Sequence, residues 1–275
     1  MPWFPDFVSA VQLARQQTRA AGQADPVTQY FDLLNSGDTR ALETVWPGEI
    51  TVFDPLAGEI RGHRELHRFV RKNQSWLGGL QARAERVASV AAGQRAVVEL
   101  LAHATQDGRE LPWPIAVAAE SDGRSVQFRT YCRVWPITGP HRVRPAILPP
   151  GPDRPGDVVA RYLSALAAGD AEAAVGAFSP GGYYRESGGS PELRHQGAAE
   201  LRAFFARQFS AGGGIGLQCC AVTDDGVRCA LEYTCVRWGS HELPPQAGIA
   251  VCERGPDGLL AAVRVYDDIA APAGS

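Results

Sequence analysis

Lysine is almost missing from this 275-residue chain: Lys72 stands alone among 27 basic side chains. Schiff-base chemistry would have to rest on that single amine, in the charged stretch Arg71-Lys72-Asn73, and is set aside. A net charge of -3 supplies no basic patch, which excludes nucleic acid as a partner. No apolar run approaches the roughly 18 residues needed to cross a bilayer. Residues Met1 to Asp6 lack a basic segment followed by an apolar core, so a cytoplasmic protein with no membrane partner is expected. The six cysteines show no CxxC spacing, and five of them fall in the second half of the chain. That pattern argues for buried free thiols rather than a metal cage or a disulfide framework. His63, His67 and His103 complete no ligand set, and neither a metal nor a cofactor is expected.

What is present is a repeat. At an offset of 132, Asp25, Tyr30, Gly37, Asp38, Asp54 and Glu110 match Asp157, Tyr162, Gly169, Asp170, Glu186 and Glu242. Later the offset drifts, pairing Gly62 with Gly197 and Tyr131 with Tyr266. One structural unit used twice explains the pattern, with the drifts as loop insertions. The boundaries that follow are an N-terminal helical arm over 1–24, repeat one over 25–136, a proline-rich linker over 137–156 and repeat two over 157–275.

Within each repeat the apolar periodicity predicts helices first and strands afterwards, an α+β arrangement. Asp25 and Asp157 are placed to cap a first helix, which ends at Gly37 or Gly169, and Asp38 or Asp170 to cap a second. Strands are expected at 50–54, 84–91, 94–105, 111–120 and 125–135, and at 183–186, 216–222, 226–238, 245–253 and 259–268. A third helix opens at Gly62 in one copy and Gly197 in the other.

The segments Tyr30 to Asp38, Thr51-Val52-Phe53-Asp54-Pro55 and Arg61-Gly62-His63-Arg64-Glu65, with their second-half counterparts, resemble the nuclear-transport-factor-2-like superfamily. That superfamily includes the ketosteroid isomerases and the SnoaL-like polyketide cyclases. The resemblance implies two cone-shaped units, each with helices packed on a curved antiparallel sheet, paired face to face as an intramolecular pseudo-dimer in a monomer or homodimer. In ketosteroid isomerases a tyrosine on the first helix and an aspartate before a proline on the first strand do the chemistry, and Tyr30 and Asp54 match those places. The second acid of that family has no counterpart in Ile115-Ala116-Val117-Ala118 or Ile249-Ala250-Val251. SnoaL-like cyclases place an acid on a late strand, where this chain has Asp267 and Asp268.

The candidate catalytic residues are therefore Asp54 with Tyr30, and Glu186 with Tyr162. If Val52 and Asp54 share the inner face of a cone, the apolar surroundings raise the carboxylate toward base duty. An Asp-Pro at a strand end also makes a simple turn, and the two readings stand side by side. Glu232 joins the site if the face Ala230, Glu232, Thr234, Val236 lines the second cone; the opposite parity would turn Cys229, Leu231, Tyr233 and Cys235 inward instead. Val52, Leu100, Tyr131, Tyr184, Tyr266 and Asp268 are the expected substrate-lining positions. The expected function is a cofactor-independent isomerase or cyclase for an apolar polyketide- or steroid-like carbonyl compound. A non-catalytic module holding a hydrophobic small molecule is the alternative. Epoxide hydrolysis comes third, because it needs an Asp-Arg-Asp group that the sequence does not place.

Overall fold

A computed structural model describes residues 48–122, 124–139 and 143–269, the side chains of residues 73–75, 77–78, 83–84 and 136 excepted. The helices expected over 6–22, 25–37 and 38–46, and Tyr30 with them, lie outside the described residues. The chain divides into two compact units, Met1–Ile137 and Thr138–Ser275.

Unit one runs β1 (Glu49–Asp54), β2 (Gly58–Arg61), α1 (Gly62–Gly79), β3 (Arg83–Ala92), β4 (Arg95–Gln106), β5 (Arg109–Ser121), β6 (Ser125–Cys132) and α2 (Trp135–Thr138). Unit two runs α3 (Asp157–Ala168), α4 (Ala171–Gly176), β7 (Phe178–Arg185), a 3-10 turn at Pro191–Leu193, β8 (Arg194–Gln196), α5 (Gly197–Gln208), β9 (Ile215–Asp224), β10 (Arg228–Trp238), β11 (His241–Arg254) and β12 (Leu260–Asp267). The two sheets have the same strand order, β2-β1-β6-β5-β4-β3 and β8-β7-β12-β11-β10-β9. Duplication is thus written into the topology, and the fold is a tandem of NTF2-like units. Each sheet is mixed rather than wholly antiparallel, because β1 pairs parallel with β6 and β7 with β12. The antiparallel run of four strands, β3 to β6 or β9 to β12, returns the last one alongside β1 or β7 in the same direction.

Period-two alternation selects the face each sheet turns to its helices. In unit one Ala96, Val98, Leu100, Ala102 and Ala104 of β4 join Leu66 and Val70 of α1 in one buried cluster. In unit two Cys229, Leu231, Tyr233 and Cys235 of β10 join Tyr162 of α3 and Leu201, Phe204 and Phe205 of α5. The spacing of the α5 trio, i, i+3 and i+4, puts all three on one stripe.

The helix ends are built from local chemistry. Asp170 accepts from the Ala173 amide at 2.9 Å and caps α4 as expected. Gly169 ends α3 with φ 71°, and a Cβ there would stand 2.6 Å from the Gly213 carbonyl oxygen. Asp157 is the exception: Gly156 takes the extended cap conformation and Asp157 becomes the first helical residue. Its carboxylate accepts from the Val159 amide and is drawn to Arg254 Nε at 2.7 Å. Several strand limits also shift, β11 for instance beginning at His241. β7 begins at Phe178, and β6 stops at Cys132 before the short helix α2. The proline-rich segment is held to the sheet of unit two: Arg144 accepts from the Ala247 amide, Pro145 bridges to Gln246, and the Gly151 amide donates to Cys219.

Arg254 ties three parts of unit two together, with Nη1 and Nη2 on the Asp224 carboxylate at 3.0 and 2.8 Å and Nε on Asp157. Burial, the largest single influence, works to raise the Asp224 and Asp157 carboxyls, but the Arg254 hydrogen bonds and charge together with backbone amides, Gly226 for Asp224 and Val159 for Asp157, outweigh it and both net shifts are downward. A depressed folded-state value means stability that is present above the unfolded carboxylate range and lost as pH falls through it. Arg254→Ala is therefore expected to cost about 1–2 kcal/mol at pH 7, less below about pH 4, where the aspartates of the unfolded chain are protonated. Urea melts of both proteins at the two pH values check this; an undiminished gap at low pH would contradict it.

Candidate functional site

Glu186, the counterpart of Asp54, follows β7 on the face that carries Tyr184 into the helical core. Its Oε1 lies 2.7 Å from Nε2 of His195 on β8. The imidazole is stacked on Phe204 at 4.4 Å between ring centroids, and Phe204 in turn lies 4.6 Å from the Tyr184 ring. Phe204 thereby orients both a titratable ring and a phenol.

Across the sheet, Tyr233, Gly248 and Asp267 are directly paired on β10, β11 and β12. A Cβ on Gly248 would stand 2.5 to 2.8 Å from Cε2, Cζ and the hydroxyl oxygen of Tyr233, so the ring lies flat across the glycine. Its hydroxyl donates to Asp267 Oδ2 at 2.5 Å. Glycine is required here by close approach: any side chain would occupy the space of the ring. Burial, then the Asp267 charge and the hydrogen bond to it, push the Tyr233 phenol well above its usual range. Tyr184 is pushed up by burial and then by the charges of Asp267 and Glu186. Tyr162 is raised by burial and then by Tyr184 and Cys252. Three phenols that stay protonated at neutral pH thus belong to one aromatic cluster, with Asp267 bonded to Tyr233 and the His195–Glu186 pair stacked on Phe204. Burial pushes Cys235 up to about 12, and Cys229 further still, so neither thiol is a nucleophile.

Unit one has no such floor. The row equivalent to Tyr233–Gly248–Asp267 is Leu100–Ile115–Cys132, wholly apolar. Val52 and Leu100 are buried on the inner face as expected. Asp54 is half-buried, and its Oδ1 accepts from the amides of Leu56 and Ala57, both at 2.8 Å. That is the turn geometry anticipated for an Asp-Pro strand end.

Four expected positions fall on the other side of the sheets. Glu232 alternates with Leu231 and Tyr233, and Tyr131 with Phe128 and Cys132, while Tyr266 and Asp268 flank Asp267. All four are buried, but outside the core clusters that the sheets form with their helices. The physical reason is a change in the offset between repeats. It is 132 from Val52 to Tyr184, 133 from Leu100 to Tyr233 and 135 from Cys132 to Asp267, and a single residue reverses which face a side chain takes. Glu232 is thus the counterpart of buried Glu99, not of Leu100. Sequence reasoning held Tyr233 only in the alternative parity and missed His195 and Gly248. The signal was the second parity of β10, which needed only the shifted offset to be preferred.

The described residues define a class of protein: two α+β units of one strand order, one with a polar row on the inner face of its sheet and the other with an apolar row there. A family model described as the SnoaL-like domain matches residues 27–139 and again residues 159–263, more than half of the chain. The protein belongs to the SnoaL-like domain family, in tandem. Among solved structures it is similar to a cystatin-fold protein from Novosphingobium aromaticivorans, with 14% identity over 40% of this chain and 94% of that one, at a TM-score of 0.34. It is similar also to a hypothetical protein with a ketosteroid-isomerase-like fold from Catenulispora acidiphila, in complex with trimethylamine (13% identity, 41% and 86% covered, TM-score 0.35). A third is SalBIII, an epoxide hydrolase/cyclase-like enzyme of pyran-ring formation in the polyether salinomycin (19% identity, 40% and 86% covered, TM-score 0.34). No match was found among curated proteins.

Proposed function

We propose that unit two is a cofactor-independent acid–base site, an isomerase or cyclase acting on an apolar polyketide- or steroid-like carbonyl compound. The observation that carries this reading is the Tyr233–Asp267 pair, built across Gly248 on the inner face of the sheet and absent from the matching row of unit one. Asp267 is the base: it takes a proton from the carbon next to the carbonyl and returns it at another carbon. Tyr233 holds the carboxylate in place. Tyr184, kept protonated by its buried and anionic surroundings, donates to the oxygen on which charge develops, with Tyr162 behind it. Glu186 is the second carboxylate of the hollow. The apolar floor of unit one and the turn-bound Asp54 favour a separate role there, as a scaffold or a holder of a hydrophobic molecule.

The test is solvent deuterium exchange. In heavy water, a panel of cyclic ketones and 1,3-diketones is followed by proton NMR for catalysed loss of the signal next to the carbonyl. Exchange with wild-type protein that survives Asp54→Asn and fails in Asp267→Asn is expected. Dependence on Asp54 instead would move the site to unit one, and an absence of exchange despite ligand binding would leave a binding protein.

A further inference from the structure

His195 pairs directly with Tyr184 between β8 and β7, so the imidazole and the phenol leave neighbouring strands on the same face. Phe204 lies against both, its ring 20° from the plane of the imidazole and 31° from that of the phenol. The Glu186 amide continues the ladder by donating to the Leu193 carbonyl at 2.9 Å, which holds the carboxylate beside the imidazole. A carboxylate only accepts, so the proton of the 2.7 Å contact sits on Nε2 and Nδ1 is left for other work. Nδ1 has no partner among the described residues, and neither has the Tyr184 hydroxyl. The His195 side chain is 12% exposed, and Nδ1 is not sealed from solvent.

Of the charged side chains on the elements packed against the ring, Arg185 and Arg194 leave on the opposite face of β7 and β8. On α5, Glu200 accepts from the Gln196 amide at 2.8 Å, Arg202 is bonded to Glu172, and Arg207 is exposed a turn further on. Glu186 is thus the charge bonded to the imidazole. Unit one shows that the fold does not need this pair. The places of Tyr184 and His195 are taken there by Val52 and Ile60, directly paired and buried in an apolar cluster, and Asp54, at the place of Glu186, accepts from the amides of its own turn. A largely buried imidazole with an open nitrogen carries a desolvation cost that an isoleucine does not, so packing does not explain His195.

We infer that His195, aimed by Glu186 and Phe204, is a catalytic residue of unit two that passes a proton to and from the substrate oxygen held by Tyr184. The inference rests on the acid–base reading of the site. As Asp267 takes its proton, the C–H bond breaks, its electron pair forms a carbon–carbon double bond and the carbonyl π pair moves onto oxygen. The Nδ1–H bond of the protonated imidazole breaks at that oxygen and an O–H bond forms, which leaves a neutral enol beside a neutral imidazole. In the second half Nδ1 takes the proton back as the carbonyl re-forms, and the double-bond pair takes up the proton held by Asp267 at another carbon. Both groups return to their starting state, and no further reactant is consumed.

Deuterium exchange of cyclohexanone and of an alkyl-substituted 1,3-diketone by the full chain, followed against pH, tests the inference. His195→Gln keeps an N–H for Glu186 but cannot ionise. It is expected to lower exchange about 10²-fold and to remove the limb that a titrating imidazole adds to the pH profile. His195→Ala is expected to regain part of the rate when free imidazole is added, because the vacated place between Phe204 and Glu186 fits that ring; a purely structural histidine would not give this rescue. An unaltered rate and pH profile in His195→Gln, with Asp267→Asn still inactive, would overturn the role of His195 and leave the base in place. NMR of nitrogen-labelled histidines reads the contact without turnover. The His195 signals, identified by their loss in His195→Gln, are expected to show Nε2 protonated and to shift when the diketone is added. Signals that stay fixed at saturating diketone would overturn the inference even in a protein that exchanges nothing.

Discussion

Asp267→Asn is expected to lower the rate of proton exchange next to a bound carbonyl by about 10²-fold or more, the scale on which a positioned general base contributes. The substitution keeps the size of the side chain and its ability to accept from the Tyr233 hydroxyl, so the row Tyr233–Gly248–Asp267 stays assembled. It removes the proton acceptor and nothing else of comparable size. A small loss of exchange in a variant that melts like wild type would show that Glu186 or another group is the base. The same change takes a negative charge away from Tyr184 and Tyr233, both of which Asp267 pushes upward. Their phenols are then expected to titrate lower than in wild type, though still above the ordinary range because burial is the larger cause. Ultraviolet titration of tyrosinate reads that shift without any substrate.

Gly248→Ala is expected to cost about 3 kcal/mol of stability, at the upper end of what overpacking a core usually costs. The added methyl meets the Tyr233 ring at 2.5 to 2.8 Å, and a ring buried between neighbouring strands and the helices cannot simply swing aside. Moving it also pulls the hydroxyl from Asp267 and leaves a half-buried carboxylate short of a donor. Unit one shows the alternative solution, since Ile115 stands where Gly248 does and Leu100 faces it in place of the tyrosine. The decisive comparison is a double-mutant cycle by urea denaturation. In a Tyr233→Leu background the alanine is expected to cost much less, because no ring covers position 248. Equal penalties in the two backgrounds would mean that the ring does not depend on the glycine.

Much of this was legible in the residues. The offset of 132 announced a duplication, and two sheets with the same strand order carry it out. Leu100 of β4, expected among the lining positions, lies on the inner face with Val98, Ala102 and Ala104. β10 was different: Glu232 and Tyr233 are neighbours, both are buried, and each offers a plausible polar group to a cavity. Composition does not separate them.

The sequence by itself determined the tandem, the α+β class, the order of helices before strands in unit two and many strand limits, because these follow from the repeat, local periodicity, capping and glycine placement. Tertiary structure decided which carboxylates share a hollow. A strand's two faces differ by one residue, and only the pairing of β10 with β11 and β12 sets that residue. The same pairing lays Tyr233 over Gly248. Residues 34 positions apart in the chain, Tyr233 and Asp267, meet because three strands lie in register, a relation that local sequence does not carry.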